Sequence, residues 1–346
     1  MPLGPVDPLS AGCRLPGPAE LALTGDRGPA ESLAMQRFKF VLYRPIQLLP
    51  VLFGISLVTF VLVHALPGDP VRAFLGPKAS AETVERIRAQ YGLDRPVLVQ
   101  YLYFLRNLTK GDIGTSVIYR MPVGRLVVER IDVTVMLLVY GVVLAILLTV
   151  PLAVLATLYQ RRWPDHLIRL FSTAGLGFPA FWLGIMLIIL LSVRLGLFPV
   201  SGYGEGFLSH LHHLFLPALS IALPLSAVLT RNLRASLIGE LQADYISAAR
   251  AKGMPERWIF LRHVFPNSLI PTINLLGVNV GWLIGGTVII ESVFAVPGLG
   301  SLLVTSIFTR DYMVVLGVAL TFAVATVLVN FIVDVVTVAL DPRVEL

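Results

Sequence analysis

The chain has 346 residues, 56% of them hydrophobic and only 14% charged. A soluble domain carries about 25% charged residues, so the composition excludes one and identifies an integral membrane protein. The formal net charge of +6 sits mostly beside apolar runs, the pattern of membrane topology signals rather than of a nucleic-acid footprint.

The single cysteine, Cys13, excludes an intramolecular disulfide and a cysteine-rich metal site. Residues 1–34 are rich in Pro and Gly and lack a cationic start followed by an apolar run, so they are not a secretory signal. They are expected to be a disordered leader, or to precede the true start at Met35. A basic lead and the first helix then occupy 35–66.

A membrane span needs about 20 apolar residues to cross roughly 30 Å of hydrocarbon. Six are expected: Ile46–Leu66, Val133–Tyr159, Leu167–Val193, Leu214–Thr230, Ser268–Ile290 and Tyr312–Ala339. The fourth is short and interrupted by Pro217 and Pro224. The fold class is therefore all-α, with six transmembrane helices. Arg37, Lys39 and Arg44 precede the first span, and Arg161, Arg162 and Arg169 lie by the second and third. Arg231, Arg234, Arg250, Lys252, Arg257 and Arg262 lie between the fourth and fifth. The opposite short loops carry only Arg194 and Arg310, so the positive-inside rule places both termini in the cytoplasm. Segment 67–132 is then external. Ala81–Pro96 has a helical pattern, Val97–Leu108 continues it amphipathically, and Thr109–Ser116 reads as turns, giving a helical cap. Residues 133–346 form the core.

One cytoplasmic stretch, within 240–266, is polar. Placing the six charges between Asp244 and Arg262 in lipid would cost on the order of 15 kcal/mol, so the stretch lies outside the bilayer. Asp244 is expected to cap a first helix and Gly253 to end it in the left-handed conformation. Pro255 falls in the first turn of a second helix, with Glu256 at its positive end, and Pro266 stops that helix before the fifth span. The small Ala248 and Ala249 permit close approach of a partner. By physics alone, this elbow serves equally as a force-transmitting contact or as an amphipathic helix on lipid headgroups, with Arg250, Lys252 and Trp258 favouring the latter.

SAARAKG at Ser247–Gly253 resembles the cytoplasmic EAA loop of ABC importer permeases, with Ser247 in place of the usual glutamate. DYISAARAKG and LRHVFPNSLIP resemble the dipeptide/oligopeptide branch. So do LVHALPGDP at Leu62–Pro70, Tyr91–Ser116, HLHHLFLPALSIALP at His210–Pro224, ESVFAVPGLG at Glu291–Gly300, RDYMVVLGVAL at Arg310–Leu320 and DPR at Asp341–Arg343. The resemblance runs in order from Gln36 to Leu346. It implies a permease subunit of a binding-protein-dependent importer in a bacterial or archaeal cytoplasmic membrane. The implied partners are a second homologous permease, two ATPase subunits or domains, an external substrate-binding protein and membrane lipid, with no nucleic acid. It also implies that Asp244, Ala248, Ala249, Arg250 and Gly253 couple to the ATPase, which carries ATP and Mg. This chain has no G-x-x-x-x-G-K-[ST] phosphate loop and is expected to hold no cofactor and to be no enzyme.

Gly277, Gly281 and Gly285 recur every fourth residue on the fifth span, a spacing that serves internal packing, or a gate or subunit interface, equally. Asn274 and Asn279 are polar pathway candidates beside them. His210, His212 and His213 sit by the loop before the fourth span and are expected to pack rather than to bind metal. Glu291 and Asp334 lie near span ends and are expected to be solvated or to cap loops. An ion-coupled secondary transporter is the competing class. It calls for paired mid-membrane charges and often inverted repeats, which the first three spans and the sixth do not supply. An intramembrane hydrolase finds no G-x-S-x-G.

Overall fold

The computed structural model describes residues 50–61, 71, 79–90, 92 and 94–340, all within the unit Leu48–Leu346. The expected leader, the basic lead from Met35, the ends of the first expected span, Leu62–Pro70, the Asp334 side chain and everything after Leu340 lie outside the described residues. Among the described residues the helices are, in chain order, α1 (Pro50–Val61), α2 (Ala81–Gln90), α3 (Val97–Leu108), α4 (Val123–Leu158), α5 (Trp163–Gly177), α6 (Ala180–Arg194), α7 (Phe207–Leu241), α8 (Asp244–Ala251), α9 (Glu256–Val293), α10 (Leu299–Thr309) and α11 (Tyr312–Leu340). Among the described residues four helices are long and apolar enough to cross a membrane, or five if the bent pair α5–α6 counts as one.

Helix α4 starts ten residues before the apolar run that marks the second expected span. Its first turns carry Arg125, Glu129, Arg130 and Asp132, so the helix continues beyond any hydrocarbon boundary. Hydropathy locates the lipid-soluble part of a helix, not the helix.

The expected third span is not one rod. It breaks between α5 and α6 with a bend of 106°. Phe178 is extended (φ −107°, ψ 132°) because the Pro179 ring disfavours the helical conformation of the residue before it. Helix α6 then finishes in a π-helical turn, Ile188–Arg194.

The fourth span, expected to be short, corrects the other way. Helix α7 runs unbroken for 35 residues through Pro217 and Pro224. It is the most enclosed of the long helices, with 67% of its most apolar stretch buried. Its apolar signal is diluted because it faces protein. Ser220, Ser226 and Thr230 are buried on it, and the Ser220 hydroxyl donates to the Leu216 carbonyl at 2.7 Å. Helix α7 packs against α4, α5, α6 and α9. Leu214, Leu216, Ala218 and Ile221 meet Val133 and Leu137 of α4 and Ile290 and Phe294 at the end of α9.

Pro266 does not stop a helix. It lies inside α9, which continues for 38 residues. The π-helical turn Phe260–Val264 precedes it, so the proline falls in the first turn of the α-helix that resumes, where its missing N–H costs least.

The stretch between the last two expected spans is short enough to expect a loop, yet Leu299–Thr309 forms helix α10. Away from it, Phe60 of α1, Tyr101 and Phe104 of α3, and Leu316 and Leu320 of α11 form one apolar cluster. The Ser56 and Tyr101 hydroxyls meet there at 2.9 Å. Helix α3 is thereby fastened to the first turns of α11.

Candidate functional site

The polar elbow joins α7 to α9. Ala243 is extended (φ −68°, ψ 145°), and Asp244 is the first residue of α8 rather than its cap. Its side chain makes no capping hydrogen bond, which corrects the expectation. The carboxylate sits in the first turn, where the helix dipole favours it. Helix α8 ends in a Schellman motif: the Met254 amide donates to the Ala249 carbonyl at 3.3 Å and the Gly253 amide to the Arg250 carbonyl at 2.9 Å. That geometry needs Gly253 at φ +78°. A Cβ there would meet nothing within 4 Å, so backbone conformation rather than crowding requires the glycine. Pro255, expected in the first turn of the next helix, is extended (φ −67°, ψ 139°) and precedes α9 directly.

Every third or fourth side chain of α8 turns inward. Ile246 and Ala249 join Ile259 and Val264 of α9, Leu233 and Leu237 of α7, and Ala153 of α4. A fully buried Ile contributes about 1.5–3 kcal/mol, so this small core is enough to hold an eight-residue helix that is too short to be stable alone. Ala249 is therefore occupied by its own chain and offers no seat to a partner, correcting that part of the expectation. Asp244, Ser247, Ala248 and Ala251 are exposed. Their i, i+3, i+4, i+7 spacing puts them on one face. Ser247 and Ala251 join the expected Asp244 and Ala248 there, at i+3 and i+7 from Asp244.

Polar bridges complete the elbow. Arg250 donates to both carboxylate oxygens of Glu256, at 2.7 and 3.3 Å, closing the corner around Gly253. Both side chains are solvent-exposed, so water screens the bridge and it serves mainly to hold the corner in place. The Tyr245 hydroxyl donates to Glu240 of α7 and accepts from Asn267 of α9. Above the elbow, Asp165 of α5 is fully buried and takes Arg234 of α7 in a two-point ion pair at 2.6 and 2.7 Å. The Arg161 amide donates to the same carboxylate at 3.1 Å. By composition Arg234 is one of the topology charges, since nothing local marks Asp165 as its partner.

The fifth-span candidates divide. A Cβ on Gly277 would lie 2.1 Å from Val333 of α11, and one on Gly281 would lie 3.2 Å from the Asn330 carboxamide, so both glycines serve packing of α9 on α11. Gly285 faces open space. Asn274 accepts from the Thr337 hydroxyl at 2.5 Å, and Asn279 donates to the Leu275 carbonyl of its own helix at 2.7 Å. Gly277→Ala is expected to destabilise the chain by about 1–3 kcal/mol, and Gly285→Ala to stay within about 0.5 kcal/mol of neutral. Thermal unfolding of the two variants in detergent measures the difference.

At the other end of the bundle, Glu291, expected to be solvated or to cap loops, takes the second course: it is fully buried and caps the start of α10. Its carboxylate accepts from Thr134 at 2.7 Å, from the Ser301 amide at 3.0 Å and from the Gly300 amide. It thus ties α4, α9 and the start of α10 together. Asp311 is buried beside α11, accepting from the Ser116 hydroxyl and the Ile118 amide. The histidines are spent on carbonyls: His210 on Tyr203, His212 on Leu197 and His213 on Ser209. Among the described residues no three His, Cys, Asp or Glu side chains gather as metal ligands.

Comparison with known proteins places this geometry in context. Residues 133–346 match the family described as binding-protein-dependent transport system inner membrane component, and residues 37–138 match its N-terminal companion. The glutathione transport system permease protein GsiC of Escherichia coli (strain K12) is 38% identical over 306 residues, covering 88% of this chain and 98% of that one. The protein of the same name from Shigella dysenteriae serotype 1 matches to the same extent. An inward-facing structure of the MetNI methionine ABC transporter shares the fold at a TM-score of 0.50 and 16% identity, covering 62% of this chain and 96% of that one.

Proposed function

This chain belongs to the binding-protein-dependent inner membrane components, the multi-pass permeases of ABC importers, and from that premise we propose that it moves di- or oligopeptides or related small solutes inward, driven by separate ATPase subunits through the elbow around α8. The observation that carries the reading is the outward face Asp244, Ser247, Ala248 and Ala251, a strip of small side chains backed by the apolar core of Ile246, Ala249 and Ile259. Small exposed residues let a partner's backbone approach. The core beneath them makes the elbow move as one piece with α7 and α9.

In this reading six spans cross the membrane with both termini in the cytoplasm, helices α2 and α3 belong to an external cap, and a substrate-loaded binding protein docks outside. The pathway runs at an interface with a second, homologous permease. ATP and Mg act on the two ATPases. The relatives named for glutathione transport, itself a tripeptide, support a short-peptide substrate class.

Ala248→Trp and Gly253→Glu test the contact. The first places bulk on the outward face, and the second forces an L-residue into φ +78°. Both variants are expected to insert and to lose at least tenfold in ATP-dependent peptide uptake by proteoliposomes carrying the assembled transporter. Uptake at the parental rate from fully inserted Ala248→Trp would remove α8 from the coupling route.

A further inference from the structure

The apolar core beneath α8 holds that helix down, but hydrophobic contact is non-directional and resists sliding weakly. A push received on the outward face needs a directional link to reach the spans. Tyr245 supplies one. Its hydroxyl donates to the Glu240 carboxylate in the last turn of α7 and accepts from the Asn267 side-chain amide of α9 at 3.0 Å. Among the described residues, no other side chain of α8 is hydrogen-bonded to both flanking helices. The bond to Glu240 is charge-assisted, and the bond from Asn267 polarises the hydroxyl in the same sense. Burial first, and then the Glu240 carboxylate, raise the Tyr245 pKa above the ordinary tyrosine value, so the hydroxyl stays a donor.

The backbone of α9 is shaped to complete the link. Ile259 lies in the same small core as Ile246 of α8, so its face of α9 is the one turned toward the elbow helix. At about 100° per residue, Asn267 would stand about 80° round from Ile259 in an uninterrupted α-helix. The π-helical turn Phe260–Val264 takes up one extra residue and leaves Asn267 only about 20° from Ile259. Val264 shifts in the same way, from about 140° to about 40°, and joins the same core. Such turns are rare and recur at functional sites. We infer that Tyr245 is the positioning residue that transmits movement of α8 to α7 and α9 together, with Glu240 and Asn267 as its two anchors. The inference rests on the coupling reading of α8 and adds the route by which a push on its outward face enters the spans.

Tyr245 is 43% exposed, so trimming it to Phe opens no cavity and keeps the core of Ile246, Ala249 and Ile259. A residue that only supported the fold would show itself in stability. A transmitting residue shows itself in the solute moved per ATP consumed. The assembled transporter in proteoliposomes gives that ratio, with labelled glutathione and trialanine as the probes. Tyr245→Phe should lower the ratio roughly fivefold or more, while ATP hydrolysis stays within about twofold of the parent and the ATPase still copurifies. Asn267→Ala should do the same, and adding it to Tyr245→Phe should cost little more than either alone, since both cut one chain of bonds. Glu240→Gln keeps an acceptor and should retain most of the ratio. Spin labels at Lys252→Cys and Val278→Cys, in a Cys13→Ser background, give a readout that needs no transported solute. Their separation should be the same with and without ATP and vanadate in the parent, and should split into two populations on nucleotide in Tyr245→Phe. A parental ratio in Tyr245→Phe, or a label separation indifferent to nucleotide in that variant, overturns the inference. So does loss of the ATPase from the purified complex, which would make Tyr245 part of the contact itself. Ala248→Trp keeps the two proposals apart: if it loses uptake while Tyr245→Phe keeps the ratio, only the route through Tyr245 fails.

Discussion

Asp165→Ala is expected to cost about 3 kcal/mol of stability and to loosen the elbow from the bundle. Arg234 is only 20% exposed on its side chain and Asp165 not at all. Deleting one partner of a buried pair leaves the other charge uncompensated, at a typical cost of 3–5 kcal/mol. The lower end applies because the partly open guanidinium keeps some access to water. The substitution also takes an acceptor from the Arg161 amide, in a residue held at φ +62°. A matched apolar pair, Asp165→Leu with Arg234→Met, should recover much of the loss, because the penalty belongs to the stranded charge. The double-mutant cycle isolates that coupling. Thermal unfolding of the four proteins in one detergent gives the energies. Limited trypsin digestion at Lys252 and Arg257 reports on the elbow, which follows α7 directly. A single variant as stable as the parent would show that the pair contributes nothing.

Asp165 illustrates what the sequence conceals. Hydropathy marks the lipid-soluble stretches, and those appear as long helices because backbone groups in lipid must bond internally. The breaks are local steric events inside apolar runs. Gly177-Phe178-Pro179 looks like one more interruption of the kind that Pro217 and Pro224 make, yet only the first bends the chain by 106°. The difference lies in the neighbours: α7 is clasped by four other helices, which keep it straight through its prolines. The inward or outward fate of adjacent alanines was hidden too. Eight residues are too few for periodicity to separate Ala248 from Ala249, and tertiary packing decides. Gly253 was legible because its requirement is purely local: a helix end with φ +78° calls for glycine whatever surrounds it.

The same contrast holds for pattern and role on the fifth span. A glycine every fourth residue is a visible motif. Only the opposing Val333 and Asn330 separate the two packing positions from Gly285. Acids near span ends leave solvation and loop capping both open, because a window of composition contains no donors. The groups that donate to Glu291 come from Thr134 and from the first turn of α10, in parts of the chain that no window joins.

The Glu291 junction gives the other large expected effect. Glu291→Ala would strand the Thr134 hydroxyl and the Ser301 and Gly300 amides together. At 1–3 kcal/mol for each buried donor, and with Thr134 still able to rotate, the loss is about 3–5 kcal/mol. Thr134 also accepts from the Leu299 amide at 2.8 Å, so a hydroxyl freed from Glu291 loosens a second hydrogen bond between α4 and the start of α10. Glu291→Gln keeps one acceptor but turns an amide NH2 toward donors, and should fall between the parent and alanine. Two nearby glycines probe the same junction sterically. A Cβ at Gly300 would lie 2.5 Å from the Val288 Cα, and backbone cannot rotate away, whereas one at Gly298 would meet the Glu291 carboxylate, also at 2.5 Å. Gly300→Ala should therefore separate α10 from α9 and approach the cost of Glu291→Ala. The double variant should cost much less than the sum, because each change opens the same contact. Unfolding midpoints give the energies, and tryptic cleavage at Arg310, at the end of α10, should accelerate in parallel. Additive energies, or a cleavage rate that stays at the parental value, would mean that Glu291 and Gly300 support separate pieces of structure.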